Sequence, residues 1–336
     1  MRRTAFAMLA VCLLGAALAA QDIKWLPDYA GTAVLTPPTK YTGEWGLSPA
    51  DANAYYQDMR RLFDELLSQP QIKTPRGVRL KGLIHPRTFG DFTIPPGPKA
   101  PIASFGFVQF FPIFERDGKV LTPNEIDIEM VFTVNDPEHI ADPLGAGEYR
   151  DEEGRRIYIE PKKVGDIQGF PLYERRHGPV YDMLVLTRTA KPLWKPVSQE
   201  QFIRGELRRM QREQARMGNS KPTPVMIGYN AALEAMSPAE RQAPARFQTS
   251  AKAVLPNLAP AGSTKGEALV ISNPDWYDPS VPRWATQLIV VSSSYGGFDR
   301  FDPTHPQWDG KISLGPVRLY QAMRGIDWKA INALIR

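Results

Sequence analysis

Cysteine is nearly missing: among 336 residues there is only Cys12, and it lies within an apolar run near the N-terminus. Once that run is removed on export, the mature chain holds no thiol, which excludes disulfides, cysteine zinc sites and cysteine nucleophiles together. A strong excess of one charge sign is also missing, with 41 Lys and Arg against 36 Asp and Glu. The formal net charge is +5, and it falls to +3 without Arg2 and Arg3, too little to argue for a nucleic-acid partner. No glycine loop of the phosphate-cradling kind is present. His85, His139 and His177 stand in turn-like sequence, without a second histidine at HxH or HExxH spacing. The run from Ser292 to Gly297 reads SSSYGG where a nucleophile elbow reads GxSxG. No stretch fixes a reaction, and no metal or cofactor is expected from local spacing.

The N-terminus carries Arg2 and Arg3, an apolar run from Ala5 to Ala16 and the small-residue triplet Ala17, Leu18, Ala19. This is the layout of a secretory signal peptide cleaved near residue 20, and the run is shorter than the ~20 residues of a membrane-spanning helix. Val11 before Cys12 and further apolar residues after it speak against lipidation. The expected location is therefore periplasmic or extracellular, with no anchor after cleavage. Proline is abundant, at 32 residues. Because proline blocks helix interiors and central strands, many turns, edge segments and rigid loops are expected.

After an irregular N-terminal arm over residues 21–47, Ser48, Pro49 and Asp51 mark a helix start, and Tyr55, Met59, Leu62 and Leu66 form one apolar line. From Val78 the period changes to two. GVRLKGLIHP, IASFGFVQFFPIF and EIDIEMVFTV are strand candidates, followed by RRIYIEP and VYDMLVLTR. One helix followed by a run of antiparallel strands predicts an α+β domain over 48–217 in which the helix covers one sheet face. Ser198 with Gln201 opens a second long helix that Gly218 closes. Residues 218–265 read as a linker or long excursion. The segment 266–336 supplies two further strands, EALVISNP and ATQLIVVSSSY, and terminal helical material.

Three groups of residues carry chemistry of interest. Glu125, Asp127 and Glu129 alternate with Ile126, Ile128, Met130, Phe132 and Val134, so the acids share one strand face and the apolar side chains the other. Acids ~7 Å apart suit acid and base work or a divalent cation. The plainer reading is a wetted face with Arg79 and Lys81 pairing across to it. Second, Arg204, Arg208, Arg212 and Arg216 recur at a spacing of four, which suits either an anionic partner or an ordinary exposed helix flank. Third, the C-terminal loops bring Trp276, Tyr277 and Trp284, then Tyr295, Asp299, Asp302, His305 and Trp308. Aromatic rings beside carboxylates suit carbohydrate, since a ring stacks on a sugar face while an acid accepts its hydroxyls. Equally, such rings staple a long loop to the body.

Two function classes follow. The first is an exported soluble binding or structural protein of the cell envelope, whose partner is a carbohydrate or another envelope protein. The second is a glycan-directed hydrolase that sets Glu125, Asp127 or Glu129 opposite Asp299 or Asp302.

Overall fold

The computed structural model describes residues 23–38, 47–85, 101–123, 128–147, 149–175, 181–219, 221–248, 255, 257–294 and 314–336. The fold is α+β. Its main element is an eight-stranded sheet made of β1 (Ala33–Thr36), β2 (Val78–His85), β3 (Ser104–Pro112), β4 (Ile128–Val134), β5 (Lys162–Ile167), β6 (Phe170–Arg175), β7 (Tyr181–Thr187) and β8 (Leu288–Ser294). The spatial order is β5-β6-β7-β8-β4-β3-β2-β1. Every pairing is antiparallel except the edge pair of β1 with β2.

The long helix α1 (Pro49–Ser68) begins as its sequence dictates. The Ser48 hydroxyl accepts from the Asp51 amide at 3.1 Å, and Pro49 occupies the first turn, where a missing N–H costs nothing. Tyr55, Met59, Leu62, Phe63 and Leu66 are buried against Val108, Phe110, Met130, Phe132 and Val134 of the sheet. Each large side chain so buried stabilises by about 1.5–3 kcal/mol relative to exposure. Two C-terminal helices, α4 (Leu314–Gly325) and α5 (Trp328–Ala333), complete this layer through Leu319, Met323, Trp328 and Ile331. The apolar stripe of β4 thus points at the helices, and Glu129 takes the other face.

That other face divides in two. Over β7 and β8, Met183, Val185, Leu288 and Val290 are covered by Ile140, Trp276 and the partly buried Leu193, Trp194 and Tyr277. Behind this cover lies a second layer. It consists of a small sheet (Trp194–Pro196, Glu267–Ser272, Tyr158–Ile159 and Asp142–Pro143, with Arg246–Phe247 at its side) and the helices α2 (Gln199–Arg216) and α3 (Pro224–Ala235). Its own core joins Phe202, Ile203 and Leu207 of α2 to Met226 and Tyr229 of α3, with Leu269 and Ile271. The Ser198–Gln201 capping box forms as expected, and Gly218, at φ 65°, follows the end of α2. Over β2, β3 and β4 the same sheet face is only part-buried: residues 105, 107 and 109 of β3 and 129 and 131 of β4 alternate with buried neighbours.

Several details differ from the sequence reading. The residues 21–47 expected as an irregular arm contribute β1, and Lys24–Trp25 pairs with a hairpin of Phe114–Arg116 and Lys119–Leu121. The hairpin turns on Asp117 and Gly118, both at positive φ, the signature of a tight two-residue turn. Residues 218–265, expected as a linker or long excursion with a short helix starting at Ser237, hold α3 in addition to that helix, Pro238–Gln242, which Ser237 caps. Strands β5 and β6 have no counterpart in the sequence reading. They turn on Gln168 and Gly169, at φ 57° and 89°. RRIYIEP and EALVISNP enter the small sheet and not the main one.

Candidate functional site

Two features meet where the covered half of the sheet face gives way to the part-open half, along the β4–β8 seam. On β4, Glu129 accepts a hydrogen bond from Gln109 Nε2 of β3 at 2.6 Å. On β8, Ser292 is 2% exposed, and its hydroxyl lies 3.2 Å from His139 Nε2. Register places Val131 opposite Ser292 and Glu129 opposite Ser294. Glu129 and Ser292 are therefore diagonal neighbours on one face, with Cβ atoms about 7–8 Å apart. Phe107 pairs with Val131 from the other side and adds a part-exposed ring to the same surface. The result is a step whose floor is Phe107, Gln109, Glu129 and Val131 and whose wall is the 3-10 turn Pro137–Ile140.

The wall is held by carboxyl chemistry. Asp136 caps the turn, its Oδ1 accepting from the Glu138 amide at 3.1 Å. Burial, reinforced by the nearby Glu138 charge, raises the Asp136 carboxyl to about 7. Tyr158 donates its hydroxyl proton to Glu138 Oε2, and burial with the adjacent Glu138 pushes the phenol far above its ordinary range. His139 is thus presented by a turn whose supports are acidic groups in a dry setting. A carboxyl whose folded pKa is raised contributes stability fully present below its unfolded pKa near 4, and that contribution is lost as pH rises through about 7. Asn at 136 keeps an acceptor for the Glu138 amide and cannot ionise. Denaturant unfolding of Asp136→Asn and the parent at acid and neutral pH is therefore expected to show the variant gaining on the parent between about pH 4 and 7, by a few kcal/mol, then levelling off. A constant difference across that range would contradict it.

The other expected site residues are distributed as follows. Glu125, Asp127, Tyr295, Asp299, Asp302, His305 and Trp308 lie outside the described residues. Trp276 is 3% exposed and stands edge-on to Tyr277 at 5.7 Å in the cluster above β7 and β8. Trp284 packs on the helical layer, donates from Nε1 to Asp51 Oδ1 at 3.1 Å and carries Arg336 over its ring at 4.8 Å. These three rings join segments of the body. Arg79 and Lys81 do not pair across to Glu129, because β3 stands between β2 and β4. Both cations lie over the Phe111 ring, at 5.1 and 5.2 Å.

Among the described residues no group of three His, Cys, Asp or Glu side chains gathers as metal ligands. His139 and Ser292 were not singled out as a pair by sequence reasoning. They lie 153 residues apart, and only strand order joins them. No family model, curated protein or solved structure matches this chain. Its function is therefore argued from the step itself.

Proposed function

We propose that this protein is an exported binding protein of the cell envelope that holds a carbohydrate on the part-open sheet face along the β4–β8 seam. The observation that carries the reading is the pairing of one apolar ring with three polar groups on a single half-covered surface. Phe107 offers a face for the C–H side of a sugar ring, while Gln109, Glu129 and His139 supply donors and acceptors for its hydroxyls. The step gives such a ligand a floor and a wall. No helix among the described residues is long and apolar enough to cross a membrane, which accords with a protein that meets its ligand in solution or at a surface.

A screen of purified protein on a glycan array, followed by calorimetric titration of the best ligand, tests this. Glu129→Gln keeps the size of the side chain and removes its charge. It is expected to weaken binding about 10-fold or more, with Phe107→Ala similar and the melting temperature of Glu129→Gln little changed. Unaltered affinity in both variants would sink the proposal, as would an array without any ligand.

The second reading, a glycan hydrolase using paired carboxylates, is favoured by the same register. Glu129 stands opposite Ser294 in the ladder, so one carboxylate is in place beside the C-terminal end of β8. Hydrolysis would need a second carboxylate about 5 Å away for retention of configuration, or about 6.5–9.5 Å for inversion. Release of reducing ends by the parent, abolished in Glu129→Gln while binding persists, would select this reading over the first.

A further inference from the structure

The corner between α2 and α3 carries several of the exposed large apolar side chains of the described residues, Met217 being the most exposed of them. Met217 is 70% exposed, Val225 41% and Ile227 59%, within eleven residues of one another. Met217 and Val225 flank a groove of about 320 Å³ between the helices, floored by Met210 and Tyr229. The sequence of α3 explains the exposure. PVMIGYNAALEA contains one charged residue, Glu234, so the helix has apolar side chains to spare once Met226 and Tyr229 are buried. A surface helix ordinarily turns a polar side to water. This one turns Val225, Ile227, Ala231 and Ala235 to water, with Asn230 and Glu234 as its polar exposed side chains.

Basic charge is in excess around the corner, where the two acids of the groove, Glu206 and Glu213, share Arg209. Arg204 is paired with Glu200 at 2.7 Å, and Arg209 with Glu206 at 2.9 Å. Arg208 is spent on the Glu152 carbonyl. Arg212, Arg216 and Lys221 are exposed and take part in no ion pair among the described residues. Like charges four apart on a helix repel, so Arg212 and Arg216 cost a few tenths of a kcal/mol without a counter-charge. Two unneutralised arginines and a lysine beside protruding apolar side chains match a surface that is anionic at its outside and apolar just beneath.

We propose that the α2–α3 corner is a membrane-docking tip, setting Met217, Val225 and Ile227 into the headgroup region of an anionic phospholipid bilayer while Arg212, Arg216 and Lys221 meet the lipid phosphates. Shallow insertion of a few apolar side chains together with basic residues is how peripheral proteins hold to such surfaces without spanning them. The tip lies in the second layer, apart from the β4–β8 seam, so this proposal does not depend on what that seam binds.

The full-length chain carrying Cys12→Ser and Met217→Cys, labelled at 217 with an environment-sensitive nitrobenzoxadiazole dye, reads the tip directly. Vesicles containing phosphatidylglycerol are expected to shift its emission to the blue and raise its intensity, whereas vesicles of phosphatidylcholine alone leave it unchanged. About 0.5 M salt should reverse the change. Adding Arg212→Glu and Arg216→Glu should weaken the apparent vesicle affinity about 20-fold or more, and Ile227→Asp should weaken it independently of salt. Emission indifferent to anionic vesicles in a protein with a native circular dichroism spectrum would overturn the proposal. So would a blue shift that grows with protein concentration without lipid, since it would assign the tip to a second copy of the chain.

Discussion

Replacement of Asn135 by alanine is expected to destabilise the protein by about 4–6 kcal/mol, among the largest effects of any single substitution. Asn135 directly follows β4, and its side chain is fully engaged. Nδ2 donates to the Ile102 and Ala285 carbonyls, both at 3.0 Å, while Oδ1 accepts from the Gln287 and Leu288 amides at 2.8 and 3.2 Å. Two chain segments far from it in sequence, at Ile102 and at 285–288, are thereby tied to one buried residue that is 5% exposed. Truncation leaves four backbone groups without a partner where water does not reach, and each unpaired group costs about 1–3 kcal/mol. Alanine is also strained at the residue's φ of 57°. Asn135→Gly separates the two causes, since glycine adopts that φ freely but supplies no hydrogen bonds. Urea unfolding should place the glycine variant about 1 kcal/mol above the alanine variant and still several below the parent. A glycine variant as stable as the parent would show that the bonds contribute nothing.

The second large effect is expected at Asp58, on the buried side of α1. One carboxylate oxygen accepts from both the Thr286 amide (2.9 Å) and the Thr286 hydroxyl (2.7 Å), and the other faces Arg61 and, at 3.7 Å, Arg336. With Asp58 4% exposed, this charge is tolerable only because its partners surround it. Asp58→Ala frees the buried Thr286 amide from any acceptor and is expected to cost about 3–5 kcal/mol. Arg61 is half exposed, so Arg61→Ala should cost less than about 1 kcal/mol. Denaturant midpoints for the two variants check this contrast directly. Equal losses would mean that Asp58 contributes mainly through its pair with Arg61 within α1, and not through the bonds that tie α1 to Thr286.

Much of the architecture was legible where a local rule and the global packing agree. Ser48–Pro49 and Ser198–Gln201 act as helix starts because capping depends on neighbours three residues apart. The alternation in β4 sorts its side chains correctly, because one face must meet α1. Strands β5 and β6 escaped notice for the opposite reason. Lys162, Lys163, Val164 and Asp166 are exposed, and a bulge between Lys163 and Gly165 breaks the alternation that identifies a strand. The assumption that Arg79 and Lys81 would meet Glu129 failed because β2 and β4 are not neighbours: each pairs with β3, which stands between them.

The step was legible only in part. Glu129 stands out in sequence as the last of three alternating acids, but Gln109, His139 and Ser292 have no local signal. Their proximity follows from the insertion of β8 between β4 and β7, which brings residue 292 beside residue 131 across more than 150 positions of chain. Asn135 likewise reads as a turn residue, and nothing near it in sequence announces the four bonds it makes. Trp276 and Trp284, conspicuous among prolines and aspartates, owe their placement to packing partners in other segments, Ile140 and Met183 for one ring and Asp51 and Arg336 for the other.

The most direct test of the central claim, that the part-open half of the sheet face is the binding surface, is an amide chemical-shift map recorded while the best array glycan is titrated into the isotope-labelled protein. The account predicts that the largest shifts fall on residues 105–111 of β3, 128–133 of β4, His139 and Ser292, and that their titration midpoint moves about 10-fold or more higher in Glu129→Gln. Saturable shifts concentrated elsewhere, with β3 and β4 unmoved, would contradict it.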